Sequence, residues 1–351
     1  ALELVRGGTP WEAAFLASAR RLRRLGEARE ARESATSATS AAEAWIRAAS
    51  AYQVASFGMH LDPERLAWNA RVLRQRRLAE LCYRRGLALD PARGRRVALS
   101  AVGLSGYLRR PTVPLARGPV GTAVLVNGLD SICEVELCQF GERFLDRGFA
   151  TLALGLPAAP GPERGPIDRR AEHLASAIAD WIEGQPDLAD RPIVAFGVSF
   201  GGQVVARLLA GDARFVAGVA VSAPARMDTG GLAIARIRRM FALAFDLADD
   251  REIQAAAAEL NLDGLARPEG RLLALHMEDD QVFGLDHLEA LCAWGGDRVE
   301  VRRYLGEHVG TSNMHCWFPE ACDWLIDILS EISTGSEFSK VSLSLKSKET
   351  A

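Results

Sequence analysis

From residue 122 to residue 276 the chain repeats one texture: a short apolar run, a turn containing glycine or proline, then a stretch with helical spacing. The runs are Thr122–Val126, Ala150–Leu154, Pro192–Phe196, Phe215–Val221 and Arg271–His276. A short apolar run without polar alternation reads as a strand covered on both faces, and strands separated by helices pair in parallel. Helices are expected over about 133–147, 168–183 and 201–210. Repeats of roughly 30–45 residues fit βαβ units with right-handed crossovers. The pattern restricts the chain to the α/β class, an open and mostly parallel sheet flanked by helices. Ligands bind such sheets at the carboxyl ends of the strands.

The flanking segments differ in texture. Residues 10–92 are rich in Ala, Leu, Arg and Glu, with Ala44, Ile46, Ala49 and Tyr52, then Leu66, Val72, Leu73, Leu78 and Leu81, at helical spacing. Asp62-Pro63-Glu64 reads as a helix start with proline in the first turn. Ser34–Ser40 is small and polar and is expected to be a loop or linker. Val97–Leu99 and Leu104–Leu108 read as two strands joined tightly, and Val299–Tyr304 as a last strand before a helix over Pro319–Leu329. Residues 226–268 are too long for a simple crossover and are expected to form an inserted helical lid. The expected organisation is a helical cap over 1–92, a core over 93–333 carrying the 226–268 lid, and a tail over 334–351. That tail holds all three lysines of the chain, Lys340, Lys346 and Lys348, and is expected to lie outside the fold, as an appended segment or a natural flexible C-terminus.

Charge and cysteine content narrow the function classes. Forty-two Lys and Arg against 45 Asp and Glu give a net charge of −3, so no basic field invites nucleic acid. No uninterrupted apolar stretch could span a membrane, and Ala1–Arg6 has no basic region followed by an apolar core, so no signal peptide is expected. Six cysteines in 351 residues do not make a disulfide scaffold, and reduced thiols in a cytoplasmic protein are expected. Cys133 and Cys138 are five apart and make no ligand pair, so no metal is expected. The glycines of 118–128 lack the Lys-Ser/Thr of a phosphate loop, and no cofactor is expected. His60 and His173 have no clustered partners in the sequence.

Phe196-Gly197-Val198-Ser199-Phe200-Gly201-Gly202 follows an apolar strand and opens a helix. Gly-x-Ser-x-Gly in that setting is a nucleophile elbow: a sharp turn lifts the serine hydroxyl above the sheet, and small residues on either side let strand and helix pass closely. The plain alternative is a tight turn. The Phe200 N–H points into the same space and can hold an oxyanion. A serine nucleophile needs a base, and the base needs an orienting acid, following in the chain order Ser, acid, His. His308 hangs in the loop after Val299–Tyr304 and is the preferred base; His315, seven residues on, is the competitor and a candidate pocket residue. His287 reads as a solvated helix residue. The acid belongs to Glu278-Asp279-Asp280, where Asp280 is preferred over Asp279. The second oxyanion donor is expected in Asn127-Gly128-Leu129-Asp130-Ser131, with Gly128 allowing close approach and Leu129 N–H donating. Asp130 and Glu134 could touch substrate; the plainer reading is that they cap the helix that follows.

Val126-Asn127-Gly128-Leu129-Asp130-Ser131 with Glu134, Gly197–Gly202, Gly306-Glu307-His308 and Asp323-Trp324-Leu325 together resemble the α/β-hydrolase superfamily. Within it the chain is similar to the esterase-like group typified by 2,6-dihydroxypseudooxynicotine hydrolase, over about residues 40–330. It departs from that group at Leu154–Gly161, where an Asp-x-Pro-Gly-x-Gly-x-Ser loop is usual and both its Asp and its trailing Ser are gone. The resemblance implies an α/β-hydrolase fold with an N-terminal helical cap, and a serine-dependent reaction on an ester or a carbonyl-activated C–C bond of a mid-sized small molecule. The group is also similar to esterase-like lyases that eliminate acetate from spirotetronate-type polyketide intermediates. Arg-only, Ala-rich composition fits a high-GC bacterial gene and secondary or catabolic metabolism. A non-catalytic binding protein on the same fold is the reading from another class, and a homo-oligomer is open to the chain.

Overall fold

The structure is a computed structural model that describes residues 1–32, 34–59, 65–111, 118–156, 169–227 and 230–346. Asp62-Pro63-Glu64, His60 and most of the 154–161 loop lie outside the described residues.

Four helices come first: α1 (Leu2–Arg6), α2 (Trp11–Glu30), α3 (Ala35–Met59) and α4 (Arg65–Leu89). The expected loop over Ser34–Ser40 is a correction. Only the first of these residues lies outside α3, because Ser34 and Ser37 cap each other, the amide of each donating to the hydroxyl of the other at 3.0 and 3.1 Å. The alanines that follow, several of them fully buried, have high helix propensity.

The sheet begins with a hairpin, β1 (Arg95–Leu99) and β2 (Leu104–Arg109). It continues through β3 (Thr122–Val126), α5 (Cys138–Leu145), β4 (Ala150–Leu154), α6 (Ala175–Glu183), β5 (Ile193–Val198), α7 (Phe200–Gly211) and β6 (Phe215–Val221). Two helices, α8 (Ala235–Ala244) and α9 (Asp250–Glu259), separate β6 from β7 (Arg271–Met277). The chain then runs through α10 (Leu285–Gly295), β8 (Val299–Tyr304) and α11 (Met314–Lys346). The strand order is β1-β2-β4-β3-β5-β6-β7-β8. The β1–β2 and β2–β4 pairs are antiparallel and every other pair is parallel. The mostly parallel sheet is the one expected from the apolar runs, and the whole is the α/β-hydrolase fold that the resemblance implies. Helix α11 continues to Lys346, into the segment set outside the fold; residues 347–351 are not described.

Alternation along the central strands divides the core into two layers. Val124 and Val126 face α6, α7 and the helices after β6, whereas Ala123 and Leu125 face α5, α11 and the N-terminal helices. The N-terminal helices meet the sheet through Tyr83, which sets its ring edge-on to Tyr107 of β2, centroids 5.0 Å apart. Helix α7 is buried nearly end to end. Its Arg207 is 2 % exposed; it pairs with Glu172 at 2.7 Å and donates to the carbonyls of Glu259 and Asn261. A buried guanidinium without such partners would cost several kcal/mol.

Candidate active site

Ser199 joins β5 to α7 with φ 54° and ψ −128°, a region that non-glycine residues avoid. Two glycines make the turn possible. A Cβ on Gly197 would stand 2.2 Å from the Gly201 carbonyl oxygen, and one on Gly201 would stand 2.5 Å from that of Val126. Bonds from Ser199 N–H to Val221 O (2.8 Å) and from Gly202 N–H to Ser199 O (2.9 Å) fix the bend.

The Ser199 hydroxyl lies 2.9 Å from His308 Nε2, and His308 Nδ1 lies 2.8 Å from Asp280 Oδ2. The carboxylate accepts from Nδ1–H, which leaves the Nε2 lone pair facing the hydroxyl. Asp280 follows β7, and its side chain is 1 % exposed. Burial alone would raise its pKa, but the His308 contact and the N–H groups of Phe283 and Val282 hold it below the usual carboxylate range. Asp279 is exposed and makes no part of this line.

His308 is positioned by an irregular turn in which Val309 and Gly310 take positive φ. Val309 N–H donates to Ser222 Oγ at 3.1 Å, and the Trp317 indole N–H donates to Gly310 O at 2.9 Å. Phe283 sets its ring edge toward His308, centroids 5.4 Å apart. Behind it stands His287, 3 % exposed and edge-on to Phe283 at 5.1 Å. Its expected solvation is therefore corrected: Leu288 and Leu291 of α10 are buried with it, and Phe283, just before the helix, packs against its ring. His315 is exposed in the first turn of α11, and the ring nitrogen at the Ser199 hydroxyl is that of His308.

The 127–131 loop runs beside the elbow: a Cβ on Gly128 would lie 3.6 Å from Ser199 Cβ. Asn127 staples the loop, its Nδ2 donating to the carbonyls of Gly128 (2.8 Å) and Ser131 (3.3 Å) and its Oδ1 accepting from Leu156 N–H. Phe200 opens α7, so its N–H is one of the donors that a helix start leaves without an intrahelical acceptor. Leu129 is buried in the 127–131 loop. The expected capping by Asp130 and Glu134 is corrected. The chain enters a π-helical turn over Cys133–Leu137 before α5, and no side chain caps it. Asp130 instead pairs with Arg236 of α8 at 3.1 Å, and Glu134 is buried within the turn.

Four contributors were missed from sequence: Gln53, Arg76, Glu136 and Arg236. Gln53 Nε2 donates to Asp130 O at 3.0 Å, and Arg76 Nη2 donates to Leu129 O at 3.1 Å. Burial and the neighbouring Asp130 push Glu136 up to about 7, with a Ser131 hydrogen bond pulling against them. No local signal marks Gln53, Arg76 or Arg236, since their partners lie 77, 53 and 106 residues away in the chain. Among the described residues, the cysteines are free thiols and no group of three or more His, Cys, Asp or Glu could hold a metal. No described helix is long and apolar enough to cross a membrane.

A serine on a strained strand–helix turn, in line with an imidazole and a carboxylate above a mostly parallel sheet, places the chain in the α/β-hydrolase class by fold. The family described as esterase FrsA-like matches residues 26–229, more than half the chain, and the chain belongs to that family. It is 26 % identical over 275 residues to esterase FrsA of Citrobacter koseri, covering 78 % of this chain and 56 % of that protein. To esterase FrsA of Yersinia pestis it is 28 % identical over 165 residues, 47 % of this chain and 38 % of that one. The chain thus spans little more than half the length of the curated relatives it matches. Among solved structures it superposes on 2,6-dihydroxy-pseudo-oxynicotine hydrolase with a TM-score of 0.73 at 21 % identity, over 92 % of this chain and 89 % of that one. AbyA5 superposes with a TM-score of 0.61 at 16 % identity, over 89 % and 88 %. At these identities the likeness speaks for the fold.

Proposed function

We propose that the chain is a serine-dependent hydrolase acting on an ester or a carbonyl-activated C–C bond of a small molecule. The observation that carries the reading is the unbroken line from Asp280 through His308 to the Ser199 hydroxyl, at 2.8 and 2.9 Å. In this reading His308 takes the hydroxyl proton as Ser199 attacks the substrate carbonyl, and Asp280 holds the ring in the tautomer that can accept it. The N–H groups of Phe200 and Leu129 receive the developing oxyanion. His308 returns its proton to the leaving group, and a water molecule activated by the same ring releases the acyl group. Family membership supports the esterase-type reaction.

The test is Ser199→Ala against a short-chain p-nitrophenyl ester, with the melting temperature as the control for folding. Loss of turnover by about 10³-fold or more with folding retained is expected; undiminished turnover would sink the mechanism. Product mass separates the two chemistries open to this apparatus, because hydrolysis adds water to the fragments and elimination does not.

A further inference from the structure

We propose that the N-terminal helices are part of the catalytic apparatus: Gln53 of α3 and Arg76 of α4 are positioning residues that hold the 127–131 loop in its oxyanion-binding conformation. The proposal rests on the serine-hydrolase reading above. Three successive carbonyls of the loop are gripped by side chains: Gly128 O by Asn127 at 2.8 Å, Leu129 O by Arg76 at 3.1 Å, and Asp130 O by Gln53 at 3.0 Å. A carbonyl and the N–H that follows it lie in one rigid plane. Holding Gly128 O therefore orients the Leu129 N–H, and holding Leu129 O fixes the next plane, so the donor is constrained from both sides. The grip is needed because residue 128 is glycine. Its backbone has little intrinsic preference, and an unheld 128–129 peptide can rotate its N–H away from the substrate.

The composition of the contact supports a role beyond packing. Arg76 is 6 % exposed and Gln53 is 1 % exposed. Arg76 Nε and Gln53 Oε1 are buried with no hydrogen-bond partner among the described residues. Burial pushes the guanidinium down to about 10, against the pull of Asp130. Leu or Met would fill the same seam without stranding a polar atom, each of which costs about 1–3 kcal/mol. What Leu and Met cannot supply is the pair of donors to the Leu129 and Asp130 carbonyls.

The experiment compares Arg76→Met, Gln53→Met and Arg76→Lys with wild type and Ser199→Ala. The readouts are kcat and KM on a short-chain p-nitrophenyl ester, the affinity for an alkyl boronic acid, and the melting temperature. A boronic acid forms a tetrahedral adduct on the serine and places an oxygen where the oxyanion would sit, so it reports on the donors directly. Arg76→Met is expected to lower kcat about tenfold with KM within about twofold, and to weaken boronate binding in parallel. Gln53→Met should act in the same direction but less, and Arg76→Lys should recover part of the loss, since an ammonium can still donate to Leu129 O. If Ser199→Ala is inactive while both Met variants keep wild-type kcat and boronate affinity, whatever their melting temperature, the positioning role is overturned and the hydrolase reading survives. If Ser199→Ala remains active, the hydrolase reading itself fails. Should the Met variants not fold, the Lys variant decides alone: a reduced kcat with unchanged KM and weaker boronate binding supports the role, and wild-type values overturn it.

Discussion

The two flanks of Ser199 are built by different means. On one flank, the elbow is held by backbone packed against backbone, with Gly197 against Gly201 and Gly201 against Val126, and the His308 turn is held by Ser222 and Trp317 beside it. The hydrogen bonds there come from neighbouring strands and from the next residues in the chain. On the other flank, the 127–131 loop is held by long side chains from remote segments, Gln53 and Arg76 from the N-terminal helices and Arg236 from α8. The first flank is assembled once the sheet forms. The second exists only when the helices before and after the sheet core have docked. If the proposed roles hold, a site divided in this way can lose its oxyanion donor without losing its nucleophile.

The sharpest way to break the contrast is to disturb the backbone flank. Gly197→Ala would place a methyl group 2.2 Å from a backbone oxygen that cannot move without shifting α7. Overpacking costs about 1–3 kcal/mol where side chains can adjust, and here there is no side chain to adjust. The expected outcome is loss of cooperative thermal unfolding or of soluble protein. A variant that melts like wild type would show that the elbow is not set by close backbone approach.

The same division governs what the sequence makes legible. The sheet was readable because each parallel strand is a continuous apolar run, and the elbow because its constraints act within five residues. The structure brings Ser199, Asp280 and His308 together in the chain order and loops where they were sought. The Ser34–Ser40 stretch misled because serine serves both loops and helix starts, and only the reciprocal Ser34–Ser37 bonds decide between them. His287 misleads because a polar residue on a helix reads as solvated, although Phe283, four residues earlier, and Leu291, four later, flank it with apolar side chains that the fold buries. Gln53, Arg76 and Arg236 could not be found from sequence. Their partners lie 77, 53 and 106 residues away, and no local pattern encodes such a meeting.

Glu136 sharpens the comparison by pH. It belongs to the loop flank, where burial and Asp130 raise it from 4.5 to about 7. The unfolded chain releases this proton near 4.5, and the folded chain holds it to about 7. The stabilisation this group contributes is therefore complete below about 4.5 and is lost as pH rises through 7. Glu136→Gln removes that loss. Its melting temperature relative to wild type should rise by a few degrees between pH 5 and pH 8, measured by circular dichroism. Parallel melting curves across that range would place Glu136 in contact with water rather than in a desolvated seam.

The smallest expected effect is at the outermost tether of the loop flank. Arg236 and Asp130 are 44 % and 34 % exposed, so the pair is worth no more than about 1 kcal/mol to stability. Arg236→Ala should leave the melting temperature within a degree or two, yet it frees α8 from the residue next to Leu129, the proposed donor. Because the pair is exposed to solvent, salt should imitate the substitution: at 1 M the screening length falls to about 3 Å. Wild-type KM for the aryl ester should rise about twofold between low and high salt, a change the pair's weak energy allows. Arg236→Ala should start near the high-salt value and respond little. Equal salt responses in the two proteins would mean that the contact between α8 and the loop is incidental, and that Asn127 and the N-terminal helices hold the second flank without it.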